Sequence, residues 1–190
     1  MDKTEKILIE DYLNRFTLII GDINRGKTAL TRQILEIFCK TGEKQITVVD
    51  LAPEIAPSDM KGNESISALG GRLKAPEGIN VHYFHDCIHP PRLRARDEKE
   101  AAVLAEKNRC TIETLFEKAL QAEANALFVN EGSLYLHAGS PFRFLGWIRS
   151  FETAVVNGYF GKFFKQDRIT VREHAGMVFL THHCDRLIRK

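Results

Sequence analysis

One short motif constrains this chain more than any other part of its sequence. Positions 21–28 are Gly-Asp-Ile-Asn-Arg-Gly-Lys-Thr, directly after the apolar run 16–20. The spacing matches the pattern G-x-x-x-x-G-K-[ST], whose glycines let the backbone curl so that successive amide groups point at one anion. An anion is also favoured at the amino end of the helix that follows. The motif therefore predicts a strand, a phosphate-binding loop and a helix in direct succession.

Each residue of the motif has a predicted role in holding phosphates. The candidate phosphate-binding residues are Gly21, Asp22, Ile23, Asn24, Arg25, Gly26, Lys27 and Thr28. Lys27 places a positive charge beside the terminal phosphates, so it is also a candidate catalytic residue. The hydroxyl of Thr28 is a hard oxygen ligand, which makes Thr28 the first candidate for binding Mg²⁺. A nucleoside triphosphate with magnesium is thus the expected ligand.

The rest of the chain alternates between short apolar runs and amphipathic segments. Strands are predicted at 16–20, 46–49, 79–84, 126–129 and 177–180, and helices at 28–40, 97–124 and 142–156. Most of the strands are continuously apolar, as in sheets covered on both faces, and such sheets are usually parallel. We expect a single α/β domain over 1–190, a three-layer sandwich with a mainly parallel sheet of about five strands. The stretch 51–77, rich in proline and glycine, is predicted to be a loop, and 157–175 a lid or an insertion.

The motif and its strand, loop and helix setting resemble the P-loop NTPase superfamily, and the order of elements is similar to its RecA-like (ASCE) ATPases. In that family an apolar strand ends in an acid that supports Mg²⁺, often followed by a catalytic Glu. The segment 126–131, Ala-Leu-Phe-Val-Asn-Glu, occupies this place, which makes Glu131 the candidate general base. Asn130 stands where the family has Asp, and a neutral amide helps a magnesium ion less than a carboxylate does. The sequence therefore leaves open whether ATP is hydrolysed.

Two further strand ends supply candidate site residues. Asp50 follows the run 46–49 and is expected at the same edge of the sheet. There it would either bind the metal, supplying the charge that Asn130 lacks, or cap a turn. The last predicted strand ends in Thr181 and His182, which resemble the residue that senses the terminal phosphate in RecA-like proteins. The alternative for His182 is a histidine satisfied by local hydrogen bonds.

Three classes of function are compatible with the motif. The first is a Mg-dependent ATPase or an ATP-driven switch, and the absence of the guanine-binding pattern Asn/Thr-Lys-x-Asp favours ATP. The second is an ATP-dependent transferase, either a kinase or, from the likeness of 130–135 and 178–181, an enzyme similar to the ATP-dependent cobalamin adenosyltransferases. The third is a regulatory protein that binds the nucleotide without hydrolysing it.

Two other clusters contain residues of chemical interest. One hypothesis is a zinc site at two strand ends, formed from His82, His85, Cys87, His89, His182, His183 and Cys184. Ordinary surface and core histidines are the alternative. Arg92, Arg94 and Arg96 precede the long predicted helix, and they are expected either to approach the phosphates or to form solvated ion pairs.

The amino-acid composition limits which partners the protein is expected to bind and in which cell compartment it is expected to work. The chain has 27 Lys and Arg against 25 Asp and Glu, a net charge of +2. The overall charge therefore gives no reason to expect binding to nucleic acid. Aromatic and cationic residues do interleave within 142–168, which suggests either a nucleic-acid surface or an aromatic core stripe. An exposed edge of the sheet would favour a homo-oligomer. The charged segment 1–16, four scattered cysteines and the lack of a long apolar run predict a cytoplasmic protein that does not enter a membrane.

Overall fold

Strands and helices alternate along the computed structural model, which describes residues 7–42, 45–55, 71–74 and 81–190. The strands are β1 (Phe16–Gly21), β2 (Ile46–Asp50), β3 (Val81–His85), β4 (Ala126–Asn130), β5 (Thr153–Tyr159) and β6 (Arg186–Arg189). The helices are α1 (Lys27–Thr41), α2 (Pro91–Arg94), α3 (Glu98–Gln121), α4 (Pro141–Arg149) and α5 (Arg168–His183). Short 3₁₀ helices span Ile9–Asp11 and Gly132–His137.

The strands form one parallel sheet in the order β3-β2-β4-β5-β1-β6. Every residue of β1, β2 and β4 is buried, which agrees with their continuously apolar sequences. The predicted α/β class with a parallel sheet is confirmed, and the sheet has six strands where about five were expected.

Alternate side chains of the strands enter two separate cores. On one face of the sheet, Leu18 and Ile20 pack with residues of α3, α4 and α5. On the other face, Ile19 packs with Ile34 and Leu35 of α1. The sheet therefore lies between two helical layers, and the predicted three-layer sandwich is confirmed.

Helix ends lie where small and acidic residues favour them. Gly26 precedes α1 with φ of 76°, and Gly42 ends it with φ of 65°, both in the left-handed region that suits glycine. Asp97 caps α3 by accepting a hydrogen bond from the amide of Glu100. These local contacts explain why α1 and α3 match the predicted helices closely.

The run 177–180 is not a strand, because it lies inside α5. Met177 and Leu180, three residues apart, are both buried, whereas Val178 and Phe179 are partly exposed. A short apolar run fits a strand and a buried helix equally well. Asp167 decides the outcome, since its carboxylate caps α5 at the amide of Thr170. The prediction of a strand here was wrong.

The predicted helix 142–156 is divided between α4 and β5. Phe144 and Ile148 pack in the core next to α3, but Val155 packs with α1 on the opposite face of the sheet. Consecutive valines at 155 and 156 favour a strand over a helix. Residues 157–159 then complete β5, and 168–175 belong to α5, so the predicted lid or insertion reduces to the loop 160–167.

The edge strand β6 was not predicted, because Arg186 and Arg189 flank its two apolar residues and it is short. Positions 79–80 of the third predicted strand and most of the predicted loop 51–77 lie outside the described residues. None of the helices in the described ranges combines the length and the apolar character that a membrane crossing needs.

Candidate functional site

The loop between β1 and α1 borders a cavity of about 380 Å³ at the carboxyl edge of the sheet. Residues 23–28 of the motif line this cavity. Lys27 is buried, and its Nζ donates to the carbonyl oxygen of Asp22 at 2.7 Å. Burial lowers the pKa of Lys27, while the carboxylates of Glu131, Asp22 and Glu173 oppose that shift. A buried ammonium group beside a cavity is stabilised by any anion that enters.

Asp22 ties the phosphate loop to the loop 160–167. Its carboxylate accepts from the amide of Ile23 at 2.8 Å and from the amide of Lys162 at 3.1 Å. Gly161 approaches so closely that a Cβ added there would lie 2.4 Å from the Asp22 carboxyl carbon. The conformation of the phosphate loop therefore depends on a segment more than a hundred residues away.

We expect Gly161→Ala to lower the free energy of unfolding by about 1–3 kcal/mol, because the added methyl group must displace a carboxylate that two amides hold. Gly146→Ala is the matched control, since a Cβ at exposed Gly146 of α4 meets no atom within 4 Å. That change should be neutral or stabilising. Urea unfolding measures both variants, and an equal stability of the two would contradict the packing described.

A hydrogen-bonded network of polar side chains lies beneath the loop. Thr28 Oγ1 donates to Asn130 Oδ1 at 3.3 Å, and Asn157 Nδ2 donates to the same oxygen at 2.9 Å. The amide nitrogen of Asn130 donates to Asp50 Oδ1 at 2.8 Å and to the carbonyl of Gly71 at 2.9 Å. Asn130 thus accepts hydrogen bonds through its amide oxygen and donates them through its amide nitrogen. An ionised aspartate could only accept.

Asp50 lies at the predicted edge, but its oxygens are already used. Oδ1 accepts from Asn130 and from the amide of Ala52, and Oδ2 accepts from the amide of Leu73 and the hydroxyl of Tyr83. A carboxylate has about four acceptor positions. In this structure Asp50 therefore caps the turn at Ala52 and anchors Asn130, and its role as a magnesium ligand stays a prediction.

The residues present fit a carboxylate-held magnesium ion poorly. Thr28 and Asn130 offer neutral oxygens, and Asp50 has no acceptor position left for a cation. Among the described residues, no three His, Cys, Asp or Glu side chains are grouped so as to hold a metal. Mg²⁺ prefers one or two carboxylates together with the substrate phosphates. Thr28 is the one side chain of this network that matches the expected pattern.

Glu131 lines the cavity immediately after β4. Its backbone has φ of 55°, a left-handed conformation that is uncommon for a residue other than glycine. The amide of Glu131 donates to Asn157 Oδ1 at 3.0 Å, which holds the residue in this conformation. Burial raises the pKa of the Glu131 carboxyl, and the positive charge of Lys27 opposes this effect. Glu131 thus lies in the wall of the cavity, and its role as a general base stays a prediction.

The far wall of the cavity holds a buried charged cluster formed by Arg92, His137 and Glu173. Arg92 donates to Glu173, and His137 Nε2 lies 3.4 Å from Glu173 Oε1. Burial lowers the pKa of His137 despite the nearby carboxylate. Burial also acts to raise the pKa of Glu173, but His137 and Arg92 together hold it below its ordinary value. Both ring nitrogens of His137 and one oxygen of Glu173 have no well-formed hydrogen bond among the described residues.

The sequence patterns did not single out His137 or Glu173. Each is an isolated residue in a helical segment, and no motif spacing connects the two positions. Arg92 was one of three candidate arginines, and it is the one that lines the cavity. Arg94 contacts the ring of His89, and Arg96 pairs with exposed Glu100.

The predicted sensor residues lie at the wrong end of the sheet. Thr181 and His182 occupy the last turn of α5, where both side chains contact the carbonyl of Val178. Two residues after α5 ends, the amide of Asp185 donates to Phe16, the first residue of β1. The loop 21–28 begins at the other end of β1, at the opposite edge of the sheet, so Thr181 and His182 lie away from it. The sensor prediction depended on a strand at 177–180 and was wrong with it.

The zinc hypothesis was wrong for the same reason. The segment 182–184 lies at the amino edge of the sheet, whereas His85 ends β3 and 86–89 follow it at the carboxyl edge. His85 instead contacts Arg72, and His89 contacts Arg94. Half of the eight aromatic rings within 142–168 are buried, namely Phe144, Trp147, Phe151 and Tyr159. These four rings belong to the protein core rather than to a surface on which bases could stack.

Comparison with known proteins finds distant structural neighbours. No protein-family model and no curated protein sequence matches the chain. The flagellar accessory protein FlaH from Methanocaldococcus jannaschii is similar at 11% identity and a TM-score of 0.46, covering 94% of this chain and 71% of that chain. An ATPase from the type III secretion system of pathogenic bacteria is similar at 14% identity and a TM-score of 0.45, covering 93% of this chain and 51% of that chain. At this level of similarity, function has to be inferred from the residues of the site.

Proposed function

We propose that this protein binds ATP at the loop 21–28 and acts as an ATP-driven switch or a slow ATPase. The observation that carries the proposal is the buried ammonium group of Lys27, which lines a cavity at the amino end of α1. Backbone amides and a fixed cation at a helix start attract phosphate groups. In this role residues 21–26 would enclose the phosphates, and the Thr28 hydroxyl would be the side-chain ligand for a magnesium ion that accompanied them.

Slow hydrolysis follows from the two residues at the end of β4. Glu131 is the residue that would polarise the attacking water, and a base must be ionised to do so. Burial raises the pKa of the Glu131 carboxyl, and the positive charge of Lys27 opposes that rise. Asn130 adds no charge to a metal ion. We therefore expect firm nucleotide binding with low turnover.

Titration calorimetry with Mg-ATP tests the binding site. Lys27→Ala is expected to weaken ATP binding by about 10- to 100-fold, because it removes charge-assisted hydrogen bonds to the phosphates. Lys40→Ala is the matched control, since Lys40 is an exposed lysine on the same helix. Phosphorus NMR of the same samples identifies any product. Equal ATP affinity of the two variants would refute the assignment of the loop.

The walls of the cavity support a second candidate function, the transfer of a group from ATP to an acceptor molecule. Beyond the phosphate loop its walls are largely apolar and include Ile55, Pro90, Leu93 and Leu134. Phosphates alone do not need such walls, whereas the base of the nucleotide and a small acceptor beside it both do. A kinase or adenosyltransferase would leave ATP intact when alone and consume it when a small-molecule extract is added. Phosphorus NMR with the Lys27→Ala control separates this candidate from an ATPase.

A further inference from the structure

Arg92 holds a positive charge at the cavity wall, and its position is fixed from several sides. Its Nε donates to Thr170 Oγ1 at 3.2 Å, and its Nη2 donates to Glu173, both on α5. The guanidinium carbon lies 4.5 Å from the ring centre of Phe164 and 5.5 Å from that of Tyr159. A guanidinium group stacked and paired in this way is pre-organised, so little entropy is lost when its remaining donors bind an anion.

Arg92 and Lys27 line the same cavity, and both act on the carboxyl of Glu131. Glu131 is the common neighbour: burial and the carboxylates of Glu173 and Asp50 raise the pKa of its carboxyl, while Lys27 and, most weakly of these groups, Arg92 oppose that rise. All three side chains line the cavity. A phosphate group that extends from the loop past Lys27 therefore comes near a second fixed cation, whose counter-charge is Glu173.

The side chains below Thr28, where a magnesium ion is expected, offer little free negative charge to hold that ion. Asn130 is neutral, and hydrogen-bond donors occupy both oxygens of Asp50. The terminal phosphates of a nucleotide need positive charge around them in any phosphate site. In the described part of the site, Lys27, Arg92 and exposed Arg25 line the cavity, and of these three cations Lys27 and Arg92 have the more buried side chains.

We propose that Arg92 neutralises the terminal phosphate of bound ATP, taking over part of the task that a carboxylate-held magnesium ion performs elsewhere. The proposal rests on the proposed function, ATP binding at residues 21–28. It assigns to Arg92 the preference for ATP over ADP, because ADP lacks the phosphate that reaches α2. It also makes ATP binding tolerant of magnesium removal. Glu173 is then a positioning residue that orients Arg92.

Removing Arg92 alone would leave Glu173 buried without its partner, so the test removes both charges together. Three proteins are compared with the wild type: Glu173→Gln, the double variant Arg92→Met with Glu173→Gln, and Arg96→Met. Arg96 is an exposed arginine of the same segment and serves as the control. Circular dichroism checks that each full-length variant is folded. Calorimetry then measures ATP and ADP affinity, each with Mg²⁺ and with EDTA.

For the wild type, EDTA should weaken ATP binding by less than about 10-fold. The double variant should bind ATP at least about 10-fold more weakly than Glu173→Gln does, with a larger loss in EDTA, and its ADP affinity should change little. Arg96→Met should match the wild type. An equal loss for ATP and ADP, or a wild type whose ATP binding collapses in EDTA, would overturn the proposal. Either result would leave Lys27-dependent binding intact, so the proposed function is judged separately.

Discussion

Glu173→Ala is expected to lower the free energy of unfolding by about 3–5 kcal/mol, because it leaves a buried guanidinium without its carboxylate. Glu173 is 2% exposed, and the side chain of its partner Arg92 is 9% exposed. Solvent therefore does not replace the lost contact. For a protein of this length the change corresponds to a fall in the melting temperature of about 6–20 °C.

Urea unfolding of Glu173→Ala and Glu117→Ala measures this effect. Glu117 is an exposed glutamate of α3, so its removal should change stability by less than about 0.5 kcal/mol. Adding Arg92→Met to Glu173→Ala should recover part of the loss, because the unpaired charge is then removed as well. If Glu173→Ala costs no more than the control, the buried cluster contributes no net stability and its described role in holding Arg92 fails.

Asn130→Asp restores the acid that the family resemblance expects, yet we expect it to destabilise the protein by about 3 kcal/mol. The new carboxylate would face Asp50 Oδ1 and the carbonyl of Gly71, the two acceptors that the Asn130 amide now contacts at 2.8 and 2.9 Å. Two hydrogen bonds are lost, and two carboxylates are brought together in a buried place. Added to Asn130→Asp, Asp50→Asn should recover part of the stability, because the pair again contains one amide.

The destabilisation by Asn130→Asp should depend on pH with a defined sign. Contact between two carboxyls raises the pKa of the pair above the value in the unfolded chain. The folded state then binds more protons than the unfolded state, so stability falls as pH rises through the raised pKa. Urea unfolding at pH 5 and at pH 8 should show a wider gap to the wild type at pH 8. A gap that narrows at pH 8 would contradict the described contact between residues 50 and 130.

Sequence patterns were sufficient where a local contact sets the structure. The strand 16–20, the loop 21–28 and the helix after it were predicted because their spacing, glycines and apolar periodicity all act within a few residues. The same patterns failed at 177–180 and at 142–156. There a short apolar run or stripe fits two structures, and the helix cap at Asp167 and the sheet pairing of β5 decide between them.

The sequence by itself determined that the loop 21–28 lies between a buried strand and a helix in a parallel α/β sandwich. The tertiary structure alone decided what surrounds that loop. Asn130 and Asp50 are 80 positions apart and share one hydrogen bond, and Arg92 and Glu173 meet across 81 positions. Such contacts join single residues of common types and leave no periodicity or spacing in the chain. They form when the helical layers close over the sheet, because a buried charge or amide must then find its partner.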